Sequence, residues 1–212
     1  MDTVRLCRIK FDRFPNVSSK EIYCKLSLIT KPEIEKCYLN FNWKYIWKNL
    51  NFKYNNIYDK HVTYKYIHEI LATNKKMFNI GNKLSPNCDT CDVEESSIHM
   101  FLYCCKVQGC LDTLYKIIFY LCNINAKDYM LKLLFFDFPN IDKKLQNTLS
   151  VIISMYIACI WYNRENAVYL SQKFKAKLLK QQKLHKLMLN DNLNTYFSRN
   201  YCMIDSDIIN EL

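Results

Sequence analysis

A chain of 212 residues is long enough to bury a sizeable core, as one domain or two small ones. Half of its residues are hydrophobic and 15% aromatic, which excludes disorder over most of its length, and a formal net charge of +10 favours polyanionic partners, nucleic acid before acidic membrane surfaces. Two glycines and four prolines leave little from which to build hairpins, so a mostly helical, all-α chain with few or no strands is expected.

The opening MDTVRLCRIKFDRF has neither a long apolar region nor a small-residue cleavage site. No signal peptide is expected, and an intracellular location, nucleus or cytoplasm, goes with that. Ser18 and Glu21 form a capping box that would open a helix carrying Ile22, Tyr23, Leu26 and Leu28. Pro32 starts a turn. Trp43, Ile46, Trp47 and Leu50 then follow the i, i+3, i+4, i+7 spacing of an amphipathic helix. Two tryptophans can stack bases, but a stripe at this spacing is expected to be core. Val62, Tyr66, Ile70 and Leu71 suggest the next helix. Thr73 caps another that stops at Gly81. His61 and His68 share a helical face without a patterned carboxylate or cysteine, so each reads as a packed or surface histidine.

The most informative stretch is Ser85 to Cys110, SPNCDTCDVEESSIHMFLYCCKVQGC. Cys88, Cys91, His99 and Cys104 follow C-x₂-C-x₇-H-x₄-C, the four soft ligands of a tetrahedral structural zinc site. Ser96 or Ser97 can cap the helix that carries the second pair. An x₄ gap is not the ideal same-face spacing, so that helix must distort or end near Cys104. Either Cys105 or Cys110 can replace Cys104. Metal-type spacing in a chain without a signal peptide argues against a disulfide framework.

Leu111 to Cys122 and Asp128 to Phe138 read as buried helices, the second ended by Pro139. Asp142 caps a long helix through Tyr162, with Leu145, Leu149, Ile152, Tyr156 and Cys159 or Ile160 inward. Its apolar run, Val151 to Tyr162, is short of the roughly 20 residues that span a bilayer, so a core helix is expected. The last helix, about Glu165 to Met188, carries Lys173, Lys177, Lys180 and Lys183 on one stripe. Such a stripe can follow a phosphate backbone, lie on an acidic membrane or simply solubilise a surface. The expected divisions are an amino-terminal helical extension (1–40), a zinc-binding unit (41–110), a helical region ending in the basic helix (111–190) and a tail (191–212).

Taken as one unit, Trp43 to Cys110 resembles the zinc-binding domain at the carboxyl end of reverse transcriptases from non-LTR, LINE-type retrotransposons. The residues that carry the resemblance are the W-x₂-I-W helix, Ala72-Thr73, Ser85-Pro86-Asn87-Cys88, Cys91, Glu94-Glu95-Ser96, His99 and Cys104. Ala158 to Glu165, ACIWYNRE, is similar to an Ile-Trp-x-x-Arg segment that often follows. Asp92 departs from the glycine frequent after the second cysteine, and no tryptophan follows Cys104 closely. The resemblance implies a zinc knuckle that helps hold RNA or DNA. It does not bring the polymerase, because no Asp-Asp pair occurs for two catalytic metals.

The expected function is therefore a non-catalytic, zinc-binding module that holds nucleic acid through phosphate contacts, with no membrane and no small-molecule substrate. The alternative is an interaction or scaffold protein, or an inactive transposon remnant, whose zinc only staples the fold. An enzyme is not expected. The cysteine pair precedes the histidine, the reverse of the nucleobase deaminase order, no His-x-Glu occurs, and no phosphate loop or nucleophile elbow is present.

Overall fold

The computed structural model describes residues 33–50, 56–138 and 141–184. The capping box at Ser18 and the tail from 191 lie outside these residues. Eight α-helices run in order among them: α1 Glu33–Cys37, α2 Trp43–Leu50, α3 Ile57–Ile67, α4 Asn74–Asn79, α5 Gln108–Cys122, α6 Met130–Leu134, α7 Lys143–Tyr162 and α8 Leu170–Leu184. The fold is mostly helical, as the scarcity of glycine and proline suggests. Extended pairing among the described residues is confined to one antiparallel bridge, Asn87 with Glu94.

Helix α7 is the axis of the molecule. Every residue from Thr148 to Ile160 is buried, so the helix is enclosed on all sides. Helices α2, α3, α5 and α8 pack on it. Leu145–Tyr162 is long and apolar enough to cross a membrane by length and composition, and 78% of that stretch is buried inside the protein. The apolar run seen in the sequence is the carboxyl-terminal part of this longer core helix. The buried side chains form one cluster from Ile34 to Leu178, and the division expected at 110 and 111 falls inside α5.

The paired tryptophans belong to this core and are not a free stacking platform. Trp43 is buried, while Trp47 is half-buried, stacks on His68 and donates its indole N–H to Glu35 Oε1 at 2.7 Å. His61 is exposed, and His68 packs between Trp47 and Tyr64.

With two glycines in the chain, other residues take the left-handed positions that end helices. Helix α3 stops at Ile67 because Glu69 adopts φ +51°, with the Ile70 N–H closing on the Lys65 carbonyl at 2.9 Å. Ile70 is therefore exposed and lies beyond the helix expected to bury it, whereas Leu71 is buried. Helix α6 stops at Leu134, short of Pro139, because Phe136 takes φ +62° while its ring is fully buried. Helix α4 ends as expected at Gly81, φ +77°. Helix α8 begins at Leu170, five residues later than Glu165, after Tyr169 at φ +58°.

Candidate metal centre

Between α4 and α5 the chain has no regular α-helix long enough to hold itself. Its order comes from local hydrogen bonds. The first pair of cysteines sits in a tight turn: the Cys88 N–H donates to the Val93 carbonyl at 2.8 Å and the Asp92 N–H to the Cys88 carbonyl at 3.0 Å. Asp92 occupies the left-handed region at φ +52°, which explains why glycine suits that position. Aspartate tolerates it better than most residues. Its backbone carbonyl and carboxylate both accept from the Asn87 amide, at 3.3 and 3.2 Å.

The second pair solves the spacing problem through the backbone. Ser96 Oγ accepts the His99 N–H at 3.1 Å, so Ser96 is the cap. The chain then forms one turn of π-helix over His99–Tyr103, and the Cys104 N–H donates to the His99 carbonyl at 2.7 Å. That five-residue closure is wider than an α-turn and returns Cys104 to the side that carries His99. Cys104 itself is extended, φ −65° and ψ 133°, so the helix ends there. Gln108 holds the end by donating to the Leu102 and Cys104 carbonyls, both at 3.1 Å. From the core, the Tyr156 hydroxyl of α7 donates to the Phe101 carbonyl at 2.6 Å.

These turns bring Cys88, Cys91, His99 and Cys104 together, with their ligand atoms all within 4.8 Å of one another. Cys104 Sγ lies 3.8 Å from both Cys88 Sγ and Cys91 Sγ. A tetrahedral site with metal–sulfur bonds of about 2.3 Å has sulfur–sulfur edges of about 3.8 Å. The cluster can hold a metal ion. Every described cysteine is a free thiol. The His99 Nε2 atom is buried without a hydrogen-bond partner, a costly arrangement unless a ligand takes its lone pair.

Electrostatics point the same way. Burial pushes the Cys104 thiol up to about 12 and lowers His99 from its ordinary value, partly countered for His99 by Glu95. The Cys105 N–H, 3.4 Å from Cys91 Sγ, leads the effects that hold the Cys91 thiol below its usual range. The protein thus disfavours free charge at Cys104, and a bound cation would reverse that preference.

The two alternative ligands separate from Cys104. Cys110 is buried in the core on α5, where burial raises its thiol well above the ordinary range. Cys105 is exposed. Its sulfur lies 3.4 Å from that of Cys91, and its N–H supports Cys91 from outside the quartet.

Asn74 ties the centre to the start of α4, and Arg164 ties the residues just before α4 to the end of α7. The Asn74 N–H donates to Glu95 Oε1 at 2.9 Å and its amide to the Asn87 carbonyl at 2.7 Å. Arg164, just past α7, donates to the Ala72 carbonyl at 3.0 Å and stacks on Trp161. Glu95 and Arg164 stand in segments the sequence singles out, but only the fold reveals that Glu95 ties the knuckle to α4 and that Arg164 ties the start of α4 to the end of α7.

The basic stripe of α8 is divided by its surroundings. Lys177 pairs with the buried Asp59 at 2.6 Å, and Lys173 donates to Asn163 Oδ1 at 3.0 Å. Lys180 is exposed. Lys183 lies in the helix, and its side chain is outside the described residues.

Four potential ligand atoms on two turns form a three-cysteine, one-histidine cluster that could hold a metal ion in a helical protein. Comparison of the chain with family models, curated proteins and solved structures finds no match.

Proposed function

We propose that the chain is a zinc-stapled, non-catalytic module that binds nucleic acid through phosphate contacts. The observation that carries the metal half is the quartet of soft ligand atoms within 4.8 Å, with 3.8 Å sulfur–sulfur edges. Three thiolates and an imidazole suit zinc and not hard, oxygen-seeking cations. Four protein ligands leave no open position for a reacting water, so the zinc is structural. The nucleic-acid half is supported by the net charge of +10, the lysines of α8 and the likeness of residues 43–110 to the zinc-binding tail of LINE-type reverse transcriptases. Among the described side chains of the stripe, Lys180 is the one turned to solvent.

Metal content of the full chain purified without added zinc tests the first half. About one zinc per chain is expected, lost in Cys104→Ser and kept in Cys105→Ser. Equal zinc in wild type and Cys104→Ser would overturn the assignment. Nucleic-acid affinity tests the second half and should fall steeply as salt rises. Absent or salt-insensitive binding would leave the second reading, a scaffold whose zinc only staples the fold. One observation favours that reading: the contacts of Lys177 with Asp59 and of Lys173 with Asn163 commit half the basic stripe to the protein itself.

A further inference from the structure

A cavity of about 450 Å³ opens between the start of α3, the end of α7 and the exposed side of α8. Its inner lining includes the buried Cys159 and the buried Asp59, whose charge is paired with that of the partly exposed Lys177. Its outer lining has a different character. Tyr58 and Tyr162 are 71% and 56% exposed, large amphipathic rings that the core does not use. Beside them are Lys180 and Gln181 from α8 and the Asn56 side chain, whose oxygen caps α3 while its amide nitrogen takes no part in that cap.

Exposed aromatic faces, amide groups and a lysine at the rim are the chemistry that takes an unpaired base and its phosphate. Aromatic rings stack any base, amides meet base edges and a lysine meets the backbone. The bases of a duplex are stacked on one another and offer no free face to the tyrosines. The volume falls within the range of pockets that bury a small-molecule-sized group such as one nucleotide.

We infer that this cavity is a single-strand subsite, in which Tyr58 and Tyr162 stack an unpaired base and Lys180 contacts the adjoining phosphate. The inference rests on the nucleic-acid reading above. It deepens that reading by naming single-stranded over duplex nucleic acid and by placing the contact away from the metal centre.

The test is fluorescence anisotropy of the full-length protein with a labelled oligouridylate or oligothymidylate of about twelve nucleotides. An unlabelled duplex and an acidic polyglutamate peptide serve as competitors. Wild type should bind the single strand and be displaced poorly by duplex and peptide. Tyr58→Ala and Tyr162→Ala should each weaken binding about 5- to 100-fold with an unchanged salt slope. Lys180→Ala should lower the magnitude of that slope by about 0.7. Tyr58→Phe and Tyr162→Phe should bind as wild type does, because the ring and not the hydroxyl carries the stacking. Both tyrosines are on the surface, and unchanged circular dichroism and zinc content in each variant show that the fold is kept. Wild-type binding with unaffected alanine variants overturns the subsite and leaves nucleic-acid binding standing. Equal displacement by duplex or by the acidic peptide also overturns it. Failure of wild type to bind either nucleic acid overturns the underlying reading itself.

Discussion

Removing the hydroxyl of Tyr156 should loosen the metal-ligand turn from the core. That hydroxyl is fully buried and donates at 2.6 Å to the carbonyl of Phe101, in the middle of the π-turn that carries His99 and Cys104. In Tyr156→Phe the ring stays, so packing against Phe174 is retained and no large cavity opens. The carbonyl of Phe101 loses this donor in a buried site, and leaving such a group unmet costs about 1–3 kcal/mol. In a chain of this size that lowers the melting temperature by several degrees, at about 2–4 °C per kcal/mol. Tyr66→Phe is the matched control. Tyr66 is equally buried, but its hydroxyl has no hydrogen-bond partner, so losing it relieves a desolvation cost and should leave stability unchanged or raised by about 1 kcal/mol. Denaturant unfolding of zinc-loaded protein measures both. Equal destabilisation by the two substitutions would show that the Tyr156–Phe101 bond does not tie α7 to the turn.

Three further outcomes follow from particular residues. Glu69→Gly relieves a left-handed, solvent-exposed position at the end of α3 and should stabilise the protein by about 1 kcal/mol in thermal unfolding; a loss would refute the strain assigned to φ +51°. Asp59→Asn leaves Lys177, itself partly exposed, without its buried partner and should cost about 2 kcal/mol in denaturant unfolding, less than a fully enclosed pair; no change would mean the pair contributes nothing. Burial lowers His68 below its ordinary value, so the unfolded chain takes up a proton first as pH falls. His68 therefore contributes stability above about pH 6.5 that is lost as pH drops through its folded value, and His68→Gln should show a shallower fall between about pH 7.5 and pH 5.5. The metal ligands titrate in both proteins, so the difference between the two pH profiles isolates His68, and identical profiles would remove it from the account.

Much of the fold and of the site was legible because it rests on spacing. Trp43, Ile46, Trp47 and Leu50 repeat at helical intervals, and they form α2 against α7. Thr73 and Gly81 bracket α4 because a hydroxyl cap and a left-handed glycine act locally. The four metal ligands were legible for the same reason, and so was the misfit of x₄ to an α-turn. What resolves it, a π-turn closed at 2.7 Å, depends on support from Gln108 and Tyr156 that spacing does not reveal. The ends of α3 and α6 were illegible because Glu69 and Phe136 take positions that usually announce themselves as glycine or asparagine. At Phe136, burial of the ring in the core accompanies the unfavourable backbone. The division of the lysine stripe was hidden because Asp59, the partner of Lys177, is 118 residues away in the chain.

A chain with so large an apolar core raises the question of what a metal adds. From Ile80 to Val107 the segment contains a π-turn of five residues, entered through a short α-helical start at Ser97 and Ile98, and a 3₁₀ turn of three. Helices far longer than these are marginal in water without packing. The segment reaches the core through Met100, Phe101, Leu102, Cys104 and Val107 and, from the cysteine loop, through Cys88 alone, while Asp89, Asp92, Val93 and Glu94 face solvent. Burial therefore anchors the π-turn over several residues and the cysteine loop through Cys88, so the loop has the weaker hold. A metal ion held by Cys88, Cys91, His99 and Cys104 would join those two parts. Because Asn74 ties the joined unit to the start of α4, and Arg164 ties Ala72 just before α4 to the end of α7, loss of a bound metal should be felt beyond the loop, at the junction where α7 turns into α8.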